Sequence, residues 1–200
     1  MTQAKPTVCM TEAAKTRGRP IDIEATHALK STAAQLVHEF GYEGTSIAAI
    51  CKSAGIPRQT LYNRWISKAE LVFEAVVEEN ILPALEPTLD KESCHQAQLE
   101  DFLTNLFTRF DANANTLCAL ITTAQRDMTF QAIFHTKLLN PLEKPLVALL
   151  RRAQGYGDLF SGRDPEMLSS FILGDCWYRL LNGRSLDANH ARKISKEIFS

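Results

Sequence analysis

The chain has 200 residues, 45% of them apolar, with 22 Lys and Arg against 23 Asp and Glu for a net charge of −1. That length suits one domain or two small ones with a sizeable core, and a charge so near zero excludes an indiscriminate polycation for nucleic acid. The charge is uneven, however: residues 1–70 hold nine basic against six acidic side chains, and residues 71–200 hold thirteen against seventeen.

Residues 1–20 read as a flexible basic arm carrying Lys15, Arg17 and Arg19 around Gly18 and Pro20. The arm lacks the apolar core of a signal peptide, and no run approaches the roughly 20 apolar residues of a membrane span, so a cytoplasmic chain with no membrane partner is expected. Cys9, Cys51, Cys94, Cys118 and Cys176 are scattered without a CxxC pair, which suits free thiols in a reducing compartment; a redox role for Cys94 or Cys118 is a side reading.

The first helix is predicted from Asp22 to Phe40, with Ala25, Ala28, Leu29, Ala33, Leu36, Val37 and Phe40 inward and Gly41 ending it. Ile47, Ile50 and Cys51 then recur at helical spacing behind a Thr45 or Ser46 cap. Gly55 breaks this short helix through a left-handed turn, Ile56 plugs the angle, and Pro57 opens the next helix, predicted over Arg58–Trp65. Leu61 and Trp65 face inward there, leaving Arg58, Gln59, Thr60, Tyr62, Asn63 and Arg64 as an outward surface of hydrogen-bonding groups. Ser67 and Glu70 form a capping box for a further helix, whose first amides can hold a phosphate together with Lys68. Two short helices around a glycine turn are the pattern of a helix-turn-helix that enters the major groove. Ile47, Ile50, Cys51, Ile56, Leu61 and Leu71 are its expected core. Arg58, Gln59 and Tyr62 are expected on base edges, and Ser46, Thr60, Arg64 and Lys68 on phosphates, with Thr45 and Asn63 also in the interface.

The fourth helix is predicted to reach about Asn80, and Pro83 and Pro87 mark the boundary between a head at 21–80 and a body at 81–200. In the body, helices are expected over Leu99–Phe110 and Leu117–Arg126. A third covers Phe130–Ala153, with a kink or short interruption at Pro141 and Pro145. After the loop GYGDLFSGRDPE come two closing helices, Glu166–Leu181 and Ala188–Phe199. Nothing alternates with period two for long enough to make a sheet, so the expected fold class is all-α.

The run Phe40, Gly41, Tyr42, Thr45, Ser46, Ile50, Ala54, Gly55, Ile56, Thr60, Leu61, Tyr62, Ser67, Lys68 and Leu71 resembles the DNA-binding domain of TetR-family regulators. The likeness is dense over about the first third of the chain, and the remainder is loosely similar to the ligand-binding halves of AcrR-like members. Asn63-Arg64-Trp65 departs from the family's usual residues. The resemblance implies that Arg17 and Arg19 reach a minor groove. It also implies a body that pairs with a second copy and encloses an inducer. Phe171, Ile172, Trp177, Tyr178, Leu180, Leu181, Ile194 and Ile198 are the candidate dimer face. Phe102, Leu106, Phe107, Phe110, Leu117, Ile121, Phe134, His135 and Trp177 are candidate pocket residues, with Arg126 and Asp175 as polar neighbours.

The implied function is a homodimeric repressor that binds a palindromic operator in double-stranded DNA and is released by a small-molecule effector. An activator or an architectural DNA binder without effector is the alternative. A metal-dependent helical-bundle oxidase is a remote one, resting on the two E-x-x-H spacings, Glu24 with His27 and Glu92 with His95. No G-x-S-x-G, H-E-x-x-H, P-loop or G-x-G-x-x-G occurs, so no enzyme activity, cofactor or metal is expected.

Overall fold

The computed structural model describes residues 23–85 and 94–200, and every regular element among them is helical. Helix α1, Ile23–Gly44, buries Leu29, Ala33, Val37 and Tyr42 and bends sharply at Gly41, where φ is 74° and ψ 169°. The predicted stop is therefore a bend, after which the chain continues one more turn. Phe40, expected to face inward, is 58% exposed because the bend carries Tyr42 into the core instead.

Helix α2, Ile47–Ala54, starts where the Ala49 amide donates to Ser46 Oγ at 3.1 Å. It ends at Gly55, whose φ of 68° is left-handed, and the Ile56 amide returns to the Cys51 carbonyl at 3.0 Å. A Cβ at Gly55 would meet nothing within 4 Å, so the demand for glycine is conformational and not steric. Gly55→Ala is accordingly expected to cost about 1–2 kcal/mol in chemical denaturation, and Gly55→Asn less, because asparagine tolerates the left-handed region.

Helix α3, Arg58–Tyr62, is shorter than predicted. The chain turns after Tyr62, with the Arg64 and Trp65 amides both donating to the Leu61 carbonyl, and this drives the Trp65 ring to 1% exposure. Helix α4, Lys68–Val72, is capped by Ser67 Oγ, while Glu70 Oε2 accepts from the Ile66 amide at 2.7 Å. It runs unbroken into π-helical turns over Phe73–Ile81 and a 3-10 turn over Leu82–Leu85 that contains Pro83.

The body follows as α5 His95–Ala112, α6 Ala114–Ala124, α7 Met128–Phe134, α8 Asn140–Tyr156, α9 Pro165–Leu181 and α10 Ala188–Ile198. The interruption expected near the prolines is a π-helical segment, His135–Leu139, joining α7 to α8. Pro141 falls in the first turn of α8, where a missing amide is harmless, and Pro145 sits inside α8 without ending it. Asp164 and Asp187 cap α9 and α10 by accepting from backbone amides.

Two buried clusters result. The head cluster joins Leu29, Ala33, Ile50, Cys51, Leu61, Trp65, Leu71 and Ala75. The larger one fills the body and extends through Val37, Tyr42, Val72, Phe73, Val76, Val77 and Ile81. Helix α1 and the helix running from Lys68 to Ile81 therefore contribute to both. Phe73 anchors the latter helix in the larger cluster, with its ring centroid 6.0 Å from both Phe130 and Phe134.

Candidate nucleic-acid interface and body groove

Helix α3 presents what the sequence predicts: Arg58 and Gln59 are exposed, Thr60 is half-buried, and Tyr62 is 52% exposed. Gln59 Nε2 donates to Asn63 Oδ1 at 3.1 Å, so these amides order one another across one turn. At the start of α2, Ser46 is exposed, and because its oxygen accepts the cap bond its hydroxyl proton stays available to donate outward.

Three residues of the expected contact set have partners within the protein. Thr45 is 2% exposed and its hydroxyl donates to the Gly41 carbonyl at 2.9 Å, so it braces the bend of α1 and offers nothing outward. Lys68 Nζ donates to the carbonyls of Tyr42 and Thr45 at 2.9 and 3.1 Å and lies 3.9 Å from the centre of the Tyr42 ring. The ammonium thus joins the Thr45 amide on the Tyr42 carbonyl and ties the end of α1 to the start of α4. Burial lowers the Lys68 pKa, with the charge of Glu43 opposing that shift. Arg64 Nη2 donates to Glu74 Oε1 at 2.9 Å, beside the Trp65 ring. Arg17 and Arg19 lie outside the described residues. Glu74 was missed by sequence reading, its only signal being an acid in the apolar run Leu71–Val77.

In the body, a groove of about 590 Å³ opens between α6, α7, the π segment and α9. Of the candidate pocket residues, Ile121, Phe134, His135 and Trp177 line it, joined by Gln125, Met128, Gln131, Thr136, Leu139 and Leu181. Phe102, Leu106, Phe107, Phe110 and Leu117 do not line it, because they are buried in the core where α5 packs against α6, α8 and α10. Phe110 lies behind the groove-lining Trp177, at 5.0 Å between ring centroids. Arg126 is exposed, and Asp175 Oδ2 pairs with His190 Nε2 at 2.5 Å; neither lines the groove.

The candidate dimer face divides in the same way. Phe171, Tyr178 and Leu181 stand 65%, 54% and 57% exposed on α9, in a stripe that begins at Met167. Ile172, Leu180 and Ile198 are instead buried in the monomer core and Ile194 packs against it, because α10 spends its apolar face on α5. Arg192 on α10 and Glu100 on α5 pair at 3.0 Å across that contact.

Residues 91–198, more than half of the chain, match the family model of the tetracyclin repressor-like C-terminal domain, and residues 29–75 match that of the tetR family of bacterial regulatory proteins. The chain belongs to the TetR family. This TetR-family protein is a DNA-binding transcriptional regulator and not an enzyme. It is 25% identical over 189 residues to the uncharacterized HTH-type transcriptional regulator YdeS of Bacillus subtilis, covering 92% of each chain. Its fold resembles that of a TetR-family regulator from Mesorhizobium loti, with a TM-score of 0.69, 18% identity and coverage of 87% of this chain and 94% of the other. It also resembles FadR of Bacillus subtilis, solved in complex with stearoyl-CoA, with a TM-score of 0.66, 16% identity and coverage of 87% and 97%.

Three thiols of this TetR regulator sit where burial disfavours the thiolate. Burial raises the pKa of Cys51 and Cys118, and burial with the Asp175 charge pushes Cys176 up to about 12, which suppresses the reactive thiolate. Cys94 is exposed at the start of α5. Beside it, His95 Nδ1 lies 2.5 Å from Asp158 Oδ2, while Glu92, its expected metal-binding companion, lies outside the described residues. No group of three or more His, Cys, Asp or Glu converges among the described residues, and none of their helices is long and apolar enough to cross a membrane.

Proposed function

We propose that this regulator is a homodimeric repressor whose two heads, residues 21–80, read a palindromic operator and whose bodies, residues 81–200, bind a small-molecule effector that releases it. The observation that carries the dimer is the stripe of Met167, Phe171, Tyr178 and Leu181 on α9. The opposite side of that helix is body core, and a line of exposed apolar side chains on a rigid helix calls for a covering surface. A second copy supplies one through the same stripe, since two-fold contacts are self-complementary. Two recognition helices then face half-sites about 34 Å apart. Within each head, Arg58, Gln59 and Tyr62 read base edges, Asn63 orients Gln59, and Ser46 and Thr60 hold phosphates.

The effector reading draws on the groove, whose apolar walls and few hydrogen-bonding groups, Gln125, Gln131, His135 and Thr136, suit a mainly apolar molecule with a polar end. The stearoyl-CoA bound by the FadR of similar fold supports that class of ligand. Phe134 lines the groove and its ring packs on Phe73, so a ligand that displaces this wall pushes on the helix leading to the head. Coupling of this kind typically amounts to about 1–3 kcal/mol of operator affinity.

Selection of duplexes from a random library by the purified protein tests the reading. An inverted repeat is expected to be enriched, and Arg58→Ala should weaken binding to it by about 1–3 kcal/mol while leaving a random-sequence duplex nearly unaffected. Enrichment of a single unrepeated site, or equal losses on both duplexes, would refute it.

A further inference from the structure

Glu74 belongs to the first turn of the Phe73–Ile81 segment, yet its carboxylate is bonded to the DNA head. Oε1 accepts from Arg64 Nη2 at 2.9 Å and Oε2 from Trp65 Nε1 at 2.7 Å. Lys30 Nζ on α1 lies 3.4 Å from Oε1 and also pairs with Glu79. Three donors from two elements thus converge on one side chain that is only 15% exposed. Burial alone would raise the Glu74 pKa, but the bonds from Trp65 and Arg64 and the charges of Arg64 and Lys30 outweigh it and hold the carboxyl below its usual range. Arg64 and Trp65 directly follow the turn that ends α3, so this knot fastens the end of the recognition helix to the helix entering the body. The same helix is fastened to the groove wall, by Phe73 against Phe134 and by Glu78 paired with Lys137 of the π segment at 2.8 Å.

We propose that Glu74 is a positioning residue for sequence recognition: it holds Arg64 off the DNA backbone and sets the pose of α3, so that a side chain touching no base governs specificity. This rests on α3 being the helix that reads the groove. A charged bond to Arg64 does two things at once. It neutralises a cation that would otherwise add a sequence-independent phosphate contact, and it limits the tilt of a helix only five residues long.

Glu74→Gln separates these effects from simple destabilisation, because the amide oxygen still accepts from Trp65 Nε1 while the ion pair to Arg64 is lost. The probes are the duplex enriched from a random library by the wild-type protein and a random-sequence duplex of equal length. For Glu74→Gln, the ratio of the two affinities is expected to fall about tenfold, with random-sequence binding unchanged or tighter and the log–log salt slope steeper by about 0.9 for one added phosphate contact. A proportional loss on both duplexes with an unchanged slope would mean a merely structural role and overturn the proposal. Arg64→Gln, which leaves the Trp65–Glu74 bond intact, is an independent check. Its salt slope should match the wild type, and a slope shallower by about 0.9 would show Arg64 on a phosphate and overturn it equally. Failure of the wild-type protein to enrich any duplex would sink the recognition-helix reading as well. That result is distinct from a wild type that selects its site and variants that leave selectivity unchanged.

Discussion

Phe73→Ala is expected to lower stability by about 3–5 kcal/mol and to uncouple the head from the body. The ring is 1% exposed and meets both Phe130 and Phe134 edge-on, so truncation removes a fully buried aromatic and leaves a cavity where the helix from the head enters the body cluster. The head retains its own cluster around Leu29, Ile50, Leu61 and Trp65, to which Phe73 does not belong. Unfolding should then separate into two transitions. The chain has two tryptophans, Trp65 in the head and Trp177 beside the groove, so fluorescence of Trp65→Phe and Trp177→Phe variants follows each part alone. Urea titrations at one protein concentration would measure it, since the proposed subunit pairing makes stability concentration-dependent. A cost under about 1 kcal/mol with coincident transitions would show that the junction is not held by this ring.

Phe171→Glu combined with Leu181→Glu is expected to convert the proposed dimer to monomers and to weaken operator binding more than about 100-fold, an effect of at least roughly 2.8 kcal/mol at 1.4 kcal/mol per tenfold. Both side chains are more than half exposed in the monomer, so the folded subunit should change by no more than about 0.5 kcal/mol. In a two-fold contact each carboxylate meets its own copy or an apolar neighbour, and burying unpaired like charges there is costly. Loss of pairing then removes one of two half-site contacts from every binding event. Sedimentation equilibrium would report the mass, thermal melting the integrity of the subunit, and gel shifts the affinity. A variant that stays dimeric with intact operator binding would remove α9 from the interface.

Local chemistry made much of the fold readable before any coordinates. Gly55 between two short apolar-faced helices, the Ser67 and Glu70 cap, and the helix ends near Leu181 and Ala188 all depend on residues within one or two turns of each other, where spacing alone carries the information. The outward set on α3 was legible for the same reason. Readings that failed involved partners far apart in the chain. The bonds of Lys68 to the Tyr42 and Thr45 carbonyls were invisible in sequence because those groups lie more than twenty residues upstream. Phe107 and Phe110 looked like pocket residues because an apolar stripe is the same whether it faces a cavity or α10. Ile172 and Phe171 are neighbours in sequence, yet one is core and the other surface, since rotation about a helix axis has no reference until the helix is packed.

The sequence by itself determined the all-helical class, the helix-turn-helix and its outward polar face, because periodicity, capping and glycine geometry act over a few residues. Only the tertiary structure decided which apolar stripe stays uncovered, where the groove opens, and that Arg64 is tied to Glu74 and Lys68 to the bend of α1. Those outcomes depend on which helices come to lie against one another, and burial, long-range ion pairing and cavity shape exist only once they do.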